Sequence, residues 1–215
     1  MPEERNQYQI ARKDAKNCFV ESLSDSFGIG KIHFNFSAYD PNRPLGQRQT
    51  SSVHIYIAAD EFLELCRKLS SGEFRFVTQN KRQNKDKTPL YQVLGGICAE
   101  KLKEKGRARP DGKSLSRTLQ ILTGDKVDLL LKAASGPGEI TEKGLIVPKF
   151  GNNPENHVIV SMTLDTFGEL LLITKAHYEA WLTAWYTDQI NKTINNETKQ
   201  KREANVSQSA SVPLF

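Results

Sequence analysis

The chain has 215 residues, enough for one large domain or two closely packed halves, and its 38% hydrophobic and 26% charged residues suit a globular protein in water. No apolar run approaches the roughly 18 residues of a membrane span, so the expectation is a cytoplasmic protein with no membrane partner. Thirty Lys and Arg against 25 Asp and Glu leave +5, a balance that favours anionic partners, and the three scattered cysteines Cys18, Cys66 and Cys98, without CxxC, argue against a disulfide or zinc framework.

Residues 1–16 read as a polar N-terminal leader without an apolar h-region. "GKIHFNFSAYD" then alternates, with Ile32, Phe34, Phe36 and Ala38 on one side and Lys31, His33, Asn35 and Ser37 on the other, which predicts a half-buried strand. After the turn "DPNRPLGQ" the alternation resumes in "SSVHIYIA", where Val53, Ile55 and Ile57 oppose His54 and Tyr56, so the two segments predict a hairpin. From Ala59 the period becomes helical: Phe62, Leu65, Cys66 and Leu69 fall at i, i+3, i+4 and i+7, and Ser70, Ser71 and Gly72 end the helix.

Farther on, "FRFVTQN", "PLYQVLGGICAEKL", "SLSRTLQILTG", "KVDLLLKAA" and "HVIVSMTLD" read mostly as strands, with "LGGICAEKLKEK" as an alternative short helix. "GELLLIT" reads as a strand, with Thr174 as N-cap of a helix bearing Tyr178, Trp181, Leu182 and Trp185. "GKIHFNFSAYDPN" (30–42) is echoed by "GLIVPKFGNNPEN" (144–156), and aligning Ile57 with Ile173 superposes the two helical stripes. The expected fold class is therefore α+β: duplicated antiparallel sheet units, each closed by an amphipathic helix. Residues 17–187 form one such domain, with halves of about 17–72 and 73–187, and 188–215 are a helix extension and a mobile tail.

Chemistry-bearing motifs are few. A phosphate-binding loop, GxSxG, HExxH and the GxGxxG fingerprint are all missing, and the histidines gather no further ligands, so no enzyme activity, cofactor or metal is expected. Charge placement carries the signal. Between Arg75 and Arg117 lie Lys81, Arg82, Lys85, Lys87, Lys101, Lys103, Lys105, Arg107, Arg109 and Lys113, against only Asp86, Glu100, Glu104 and Asp111, and all of these basic residues except Lys101 are candidate nucleic-acid contacts. Loops of this kind follow a phosphate backbone, or serve only as solubilising turns. Tyr39, Tyr56, Phe74, Phe76 and Tyr91 lie where bases stack, with Phe74 and Phe76 equally suited to a core. The face of Lys31, His33 and Asn35 beside His54 and Tyr56 adds donors and an aromatic surface, with no negative charge expected on it.

This plan resembles the Whirly and transcriptional-coactivator-like family of single-stranded DNA-binding proteins. "KGRARPDGKSLSR", "SGPGEITEKGLIVPKF" and "LLITKAHYEAWL" also look like proteins carried on conjugative elements of Gram-positive bacteria. The resemblance implies binding of single-stranded DNA across the sheets with little sequence preference, in replication or transfer of a mobile element, and self-association by helix packing through Trp181 and Trp185. The ending "SVPLF" resembles the Pro-Phe tail by which bacterial single-stranded DNA-binding proteins recruit a protein partner. An RNA-binding or transcription-regulatory module on the same sheet, an assembly scaffold and a nuclease with carboxylates gathered in three dimensions are the alternatives.

Overall fold

Strict alternation over Lys31–Tyr39 and Gln49–Ala58 produces the predicted hairpin, β3 and β4, in which Phe34 faces Ile55 and Phe36 faces Val53. The computed structural model describes residues 6–209, with side chains through residue 196. Two strands precede the hairpin. Gln9–Ala15 (β1) and Cys18–Leu23 (β2) complete an antiparallel sheet of order β1-β2-β3-β4. The segment expected as a leader thus contains the outer strand of this sheet, Gln9–Ala15. Its polar residues misread because an edge strand with one solvated face needs few apolar side chains.

The predicted helix is α1, Ala59–Ser70, which buries Phe62, Leu65 and Cys66 and places Asp60 and Glu61 at its N-terminal turn and Arg67 and Lys68 at its C-terminal turn, as the helix dipole favours. Gly72, in the left-handed region at φ 79°, turns the chain into α2, Glu73–Gln83. The segment "FRFVTQN" is therefore helical rather than extended. Phe74 and Thr78, one turn apart, are buried, whereas Phe76 is 63% exposed.

The second sheet runs β5 (Tyr91–Ile97), β6 (Ser114–Thr123), β7 (Leu129–Ile140), with a short helix α3 (Ala99–Glu104) between β5 and β6. At twelve residues, β7 is long enough for two strands to share its far edge: β8 (Ile146–Pro148) near one end and β9 (Asn156–Met162) near the other. The echo of residues 30–42 in residues 144–156 therefore yields a nine-residue strand in the first copy and a three-residue strand in the second.

Helix α4 spans Leu164–Ser209. Its N-cap is Thr163, whose hydroxyl accepts the Thr166 N–H at 3.1 Å. Thr174, the expected cap, sits within the helix, donates to the Leu170 carbonyl at 2.6 Å and lies 2.7 Å from the Ser22 hydroxyl. "GELLLIT" is helical because Phe167, Leu170, Leu171 and Thr174 are the buried positions, a spacing of 3, 1 and 3, while Leu172 and Ile173 stay exposed. The Ile57–Ile173 alignment thus pairs a strand residue with a helical one.

The chain divides into two compact units, one through Lys175 and one from Ala176 onward. In the first, Phe34, Phe36 and Ile57 of one sheet meet Leu119, Ile121 and Leu131 of the other, with Leu65 of α1 and Phe167, Leu170 and Leu171 of α4 closing the core around a void of only about 10 Å³. Full burial of each such side chain is worth ~1.5–3 kcal/mol. In the second unit the rings of Tyr178, Trp181 and Trp185 stack in succession, with centroids 6.1 and 6.3 Å apart. Among the described residues no helix is long and apolar enough to cross a membrane. The C-terminal "SVPLF" lies outside the described residues.

Candidate nucleic-acid interface

β4 is the last strand of the first sheet and β5 the first strand of the second, so among the described residues each has one edge without a paired strand. A groove of about 770 Å³ lies between them. Ile55 and Tyr56 line it from β4, residues 93–97 line it from β5, and Cys98 follows at the start of α3. Among the described residues its charged lining consists of Lys31, Lys101, Lys105, Arg107 and Arg117, with no carboxylate.

Local structure explains why these cations converge. α3 buries Leu102 and ends in a Schellman turn: Gly106, at φ 65°, donates to the Lys103 carbonyl at 3.0 Å, and the Arg107 N–H reaches the Leu102 carbonyl at 2.8 Å. That reversal sets Lys101, Lys105 and Arg107 around one wall. Arg117 comes from the middle of β6, on the sheet face that carries the core residues Leu119 and Ile121. Its guanidinium carbon lies 5.6 Å from the centre of the Tyr56 ring, and burial pushes its pKa down. None of the five cations forms an ion pair among the described residues.

Tyr56, 37% exposed, rests on His33 with ring centres 4.3 Å apart and planes 17° from parallel. Behind it runs a chain of polar contacts. His33 Nδ1 donates to the Asp25 carboxylate at 2.9 Å, which leaves Nε2 to accept from His54 Nδ1 at 2.9 Å. The Ser52 hydroxyl donates to Asn35 Oδ1 at 2.9 Å, and the Asn35 amide donates to Glu21 at 2.9 Å. Burial, joined by the charges of His33 and Arg117, pushes the His54 pKa down to about 4. His33 is lowered too, chiefly by burial, with the bonded Asp25 opposing. Burial raises the Tyr56 phenol.

This strand face differs from the expected open platform. His33 is 3% exposed, Asn35 and His54 are engaged with neighbours, and the face carries two carboxylates, Asp25 and Glu21, where none was expected. Carboxylates belong here because they accept the hydrogens that the buried imidazole and amide must donate.

The remaining candidates separate by partner. Arg75 pairs with Asp165 at 2.8 Å, Lys81 with Asp86 at 2.6 Å and Lys87 with Asp125 at 2.7 Å. Arg82 pairs with Asp128 at 3.1 Å and donates to the Gly124 and Val127 carbonyls. Arg109 bridges Asp111 and Glu155 and, through these hydrogen bonds, holds both carboxyls below their usual range. Lys85 lines a separate cleft with Lys81, Arg82 and Lys87, and Lys103 and Lys113 are exposed away from the groove lining. Of the aromatic candidates, only Tyr56 lines the groove. Phe74 is in the core, Phe76 is on α2, Tyr39 stands beside Phe19, and Tyr91 lines a pocket next to α1.

Sequence reasoning left Lys101 out of the binding set although it lies one turn before Lys105, and it missed Asp25, whose partner is eight residues away in another element. Among the described residues no group of three or more His, Cys, Asp and Glu is placed to hold a metal ion. The described chain is thus an α+β protein of two antiparallel sheets and a C-terminal helix, with a basic groove between two strand edges. No known protein family, curated protein or solved structure matches it.

Proposed function

We propose that the protein binds single-stranded DNA in this groove and does so without catalysing a reaction on it. The observation that carries the reading is five cations converging on one groove that, among the described residues, has no carboxylate in its lining and no ion-pair partner for the half-buried Arg117. A buried guanidinium without a counter-ion is costly in the free protein, and a bound phosphate removes that cost. Lys31, Lys101, Lys105 and Arg107 capture the strand electrostatically, and Tyr56, backed by His33, offers a stacking face worth ~1–3 kcal/mol per base. Single strands suit the site better than duplex, because bases must be unstacked to reach Tyr56 between the two sheets.

The Whirly-like plan forms part of this proposal. It is supported by the last strand of each sheet leading into a helix, β4 into α1 and β9 into α4. A role in replication or transfer of a mobile element rests on the sequence resemblance alone.

The test is fluorescence anisotropy with a labelled single-stranded oligonucleotide over a salt series, with matched duplex and matched RNA as competitors. Binding that weakens with salt and resists both competitors is expected. Absence of binding at low salt overturns the proposal, and preferential displacement by RNA reassigns the groove to RNA.

A further inference from the structure

Within the groove, β5 contains two adjacent glycines that stand in different physical situations. At Gly96 a Cβ would lie 2.1 Å from the Leu115 carbonyl oxygen, so the fold itself excludes any other residue. Gly95 is under no such constraint: a Cβ there meets nothing within 4 Å, and its backbone is not in the left-handed region. Glycine in a strand interior weakens the strand, and in the absence of a packing or conformational need it marks a place where another chain approaches closely.

The cross-strand partner of Gly95 is Arg117. Directly opposed residues of an antiparallel pair point to the same face, so the missing side chain at Gly95 leaves the flank of the Arg117 side chain open toward the groove. The two features are independent. One is a gap that the fold does not require, and the other is a half-buried cation with no ion-pair partner among the described residues. A substituted residue 95 would cover the guanidinium, whereas glycine admits an oxyanion to it.

We propose that Gly95 and Arg117 together form a phosphate-binding notch, the point at which the sugar-phosphate backbone of the bound strand crosses β5. This deepens the single-stranded DNA reading and rests on it for the source of the phosphate. The guanidinium supplies paired N–H donors to the phosphate oxygens, and the glycine supplies clearance.

The decisive variant is G95V, since valine favours strands and the space for its Cβ is empty. Its thermal midpoint is expected to stay close to that of the wild type, the gain in strand propensity being opposed by the further desolvation of the covered guanidinium. Its affinity for a single-stranded oligonucleotide falls roughly tenfold to hundredfold, the loss of one charge-assisted contact. R117Q falls similarly and lowers the log-log salt slope by about 0.7, and the double variant loses little more than either single one. Inorganic tripolyphosphate is the second probe, read by thermal shift. If it stabilises the wild type but not G95V while no oligonucleotide binds, the notch stands for free polyphosphate and the DNA reading falls. If the wild type binds the oligonucleotide and G95V binds it equally well, the notch is overturned and the DNA reading stands. If neither probe acts on the wild type, both are overturned.

Discussion

At the scale of single residues, the protein's polar chemistry separates into groups that satisfy one another and groups left open. Asp25, His33 and His54, and beside them Ser52, Asn35 and Glu21, belong to the first kind, since His33, His54, Ser52 and Asn35 each donate to an acceptor within their group. Such a chain works with neutral imidazoles, because a proton added to His54 places a second positive charge beside Arg117. The sign of the pH dependence follows. His54 has its pKa lowered to about 4 by burial and neighbouring charge, so between the unfolded value near 6.5 and pH 4 the unfolded chain binds more protons. Stability is fully present above that window and is lost as pH falls through it, and the lowered pKa of His33 acts in the same direction. Urea unfolding at about pH 7 and about pH 4.5 is expected to show roughly 2–3 kcal/mol more acid destabilisation in the wild type than in H54Q. Parallel losses in the two proteins would mean that His54 does not titrate in that window.

Among elements, the basic side chains assort by whether they tie one element to another. Arg82 of α2 binds the carbonyls of the β6–β7 turn and Asp128, and the other carboxylate oxygen of Asp128 accepts the Leu164 N–H at 3.0 Å, so one guanidinium links α2, the turn and the start of α4. R82A is expected to cost ~1–3 kcal/mol in denaturant unfolding and to leave oligonucleotide affinity unchanged, while K105Q/R107Q does the reverse. Equal loss of binding in both variants would mean that the groove depends on the whole basic surface. This division was hidden in the sequence because the partners of Arg75, Arg82 and Arg109 lie 90, 46 and 46 residues away. The hairpin β3–β4 and helix α1 were legible because their apolar residues recur with periods of 2 and 3.6. Helix α2 was not, since Phe74 and Phe76 imitate alternation while only Phe74 is buried. A similar ambiguity moved the cap of α4 from Thr163 to Thr174, as either threonine precedes a helical stripe and only tertiary burial separates them. The basic character of the site was legible as composition, but its location depends on two sheet edges coming together, which no local pattern encodes.

For the whole molecule, a net charge of +5 says little about where an anion binds, because at least five of the chain's cations are cancelled nearby by carboxylates. Two electrostatic pictures then give different salt dependences. If the strand tracks the full set of basic candidates, Lys31 and the eleven from Arg75 to Arg117 apart from Lys101, twelve phosphates are neutralised and the log-log slope approaches about −8, at roughly 0.7 per phosphate on a single strand. If it occupies only the groove, with five lining cations, the slope is no steeper than about −3.5. The second value is expected, since Arg75, Lys81, Arg82, Lys87 and Arg109 would each have to give up a carboxylate to reach a phosphate, and Lys85, Lys103 and Lys113 stand outside the groove lining. Association constants between about 50 and 300 mM salt separate the two cases directly. A slope near −8 would move the interface out of the groove and onto the α2 surface and the loops around it. A slope near −3.5 that falls by about 0.7 in R117Q would place the half-buried guanidinium within the contact itself.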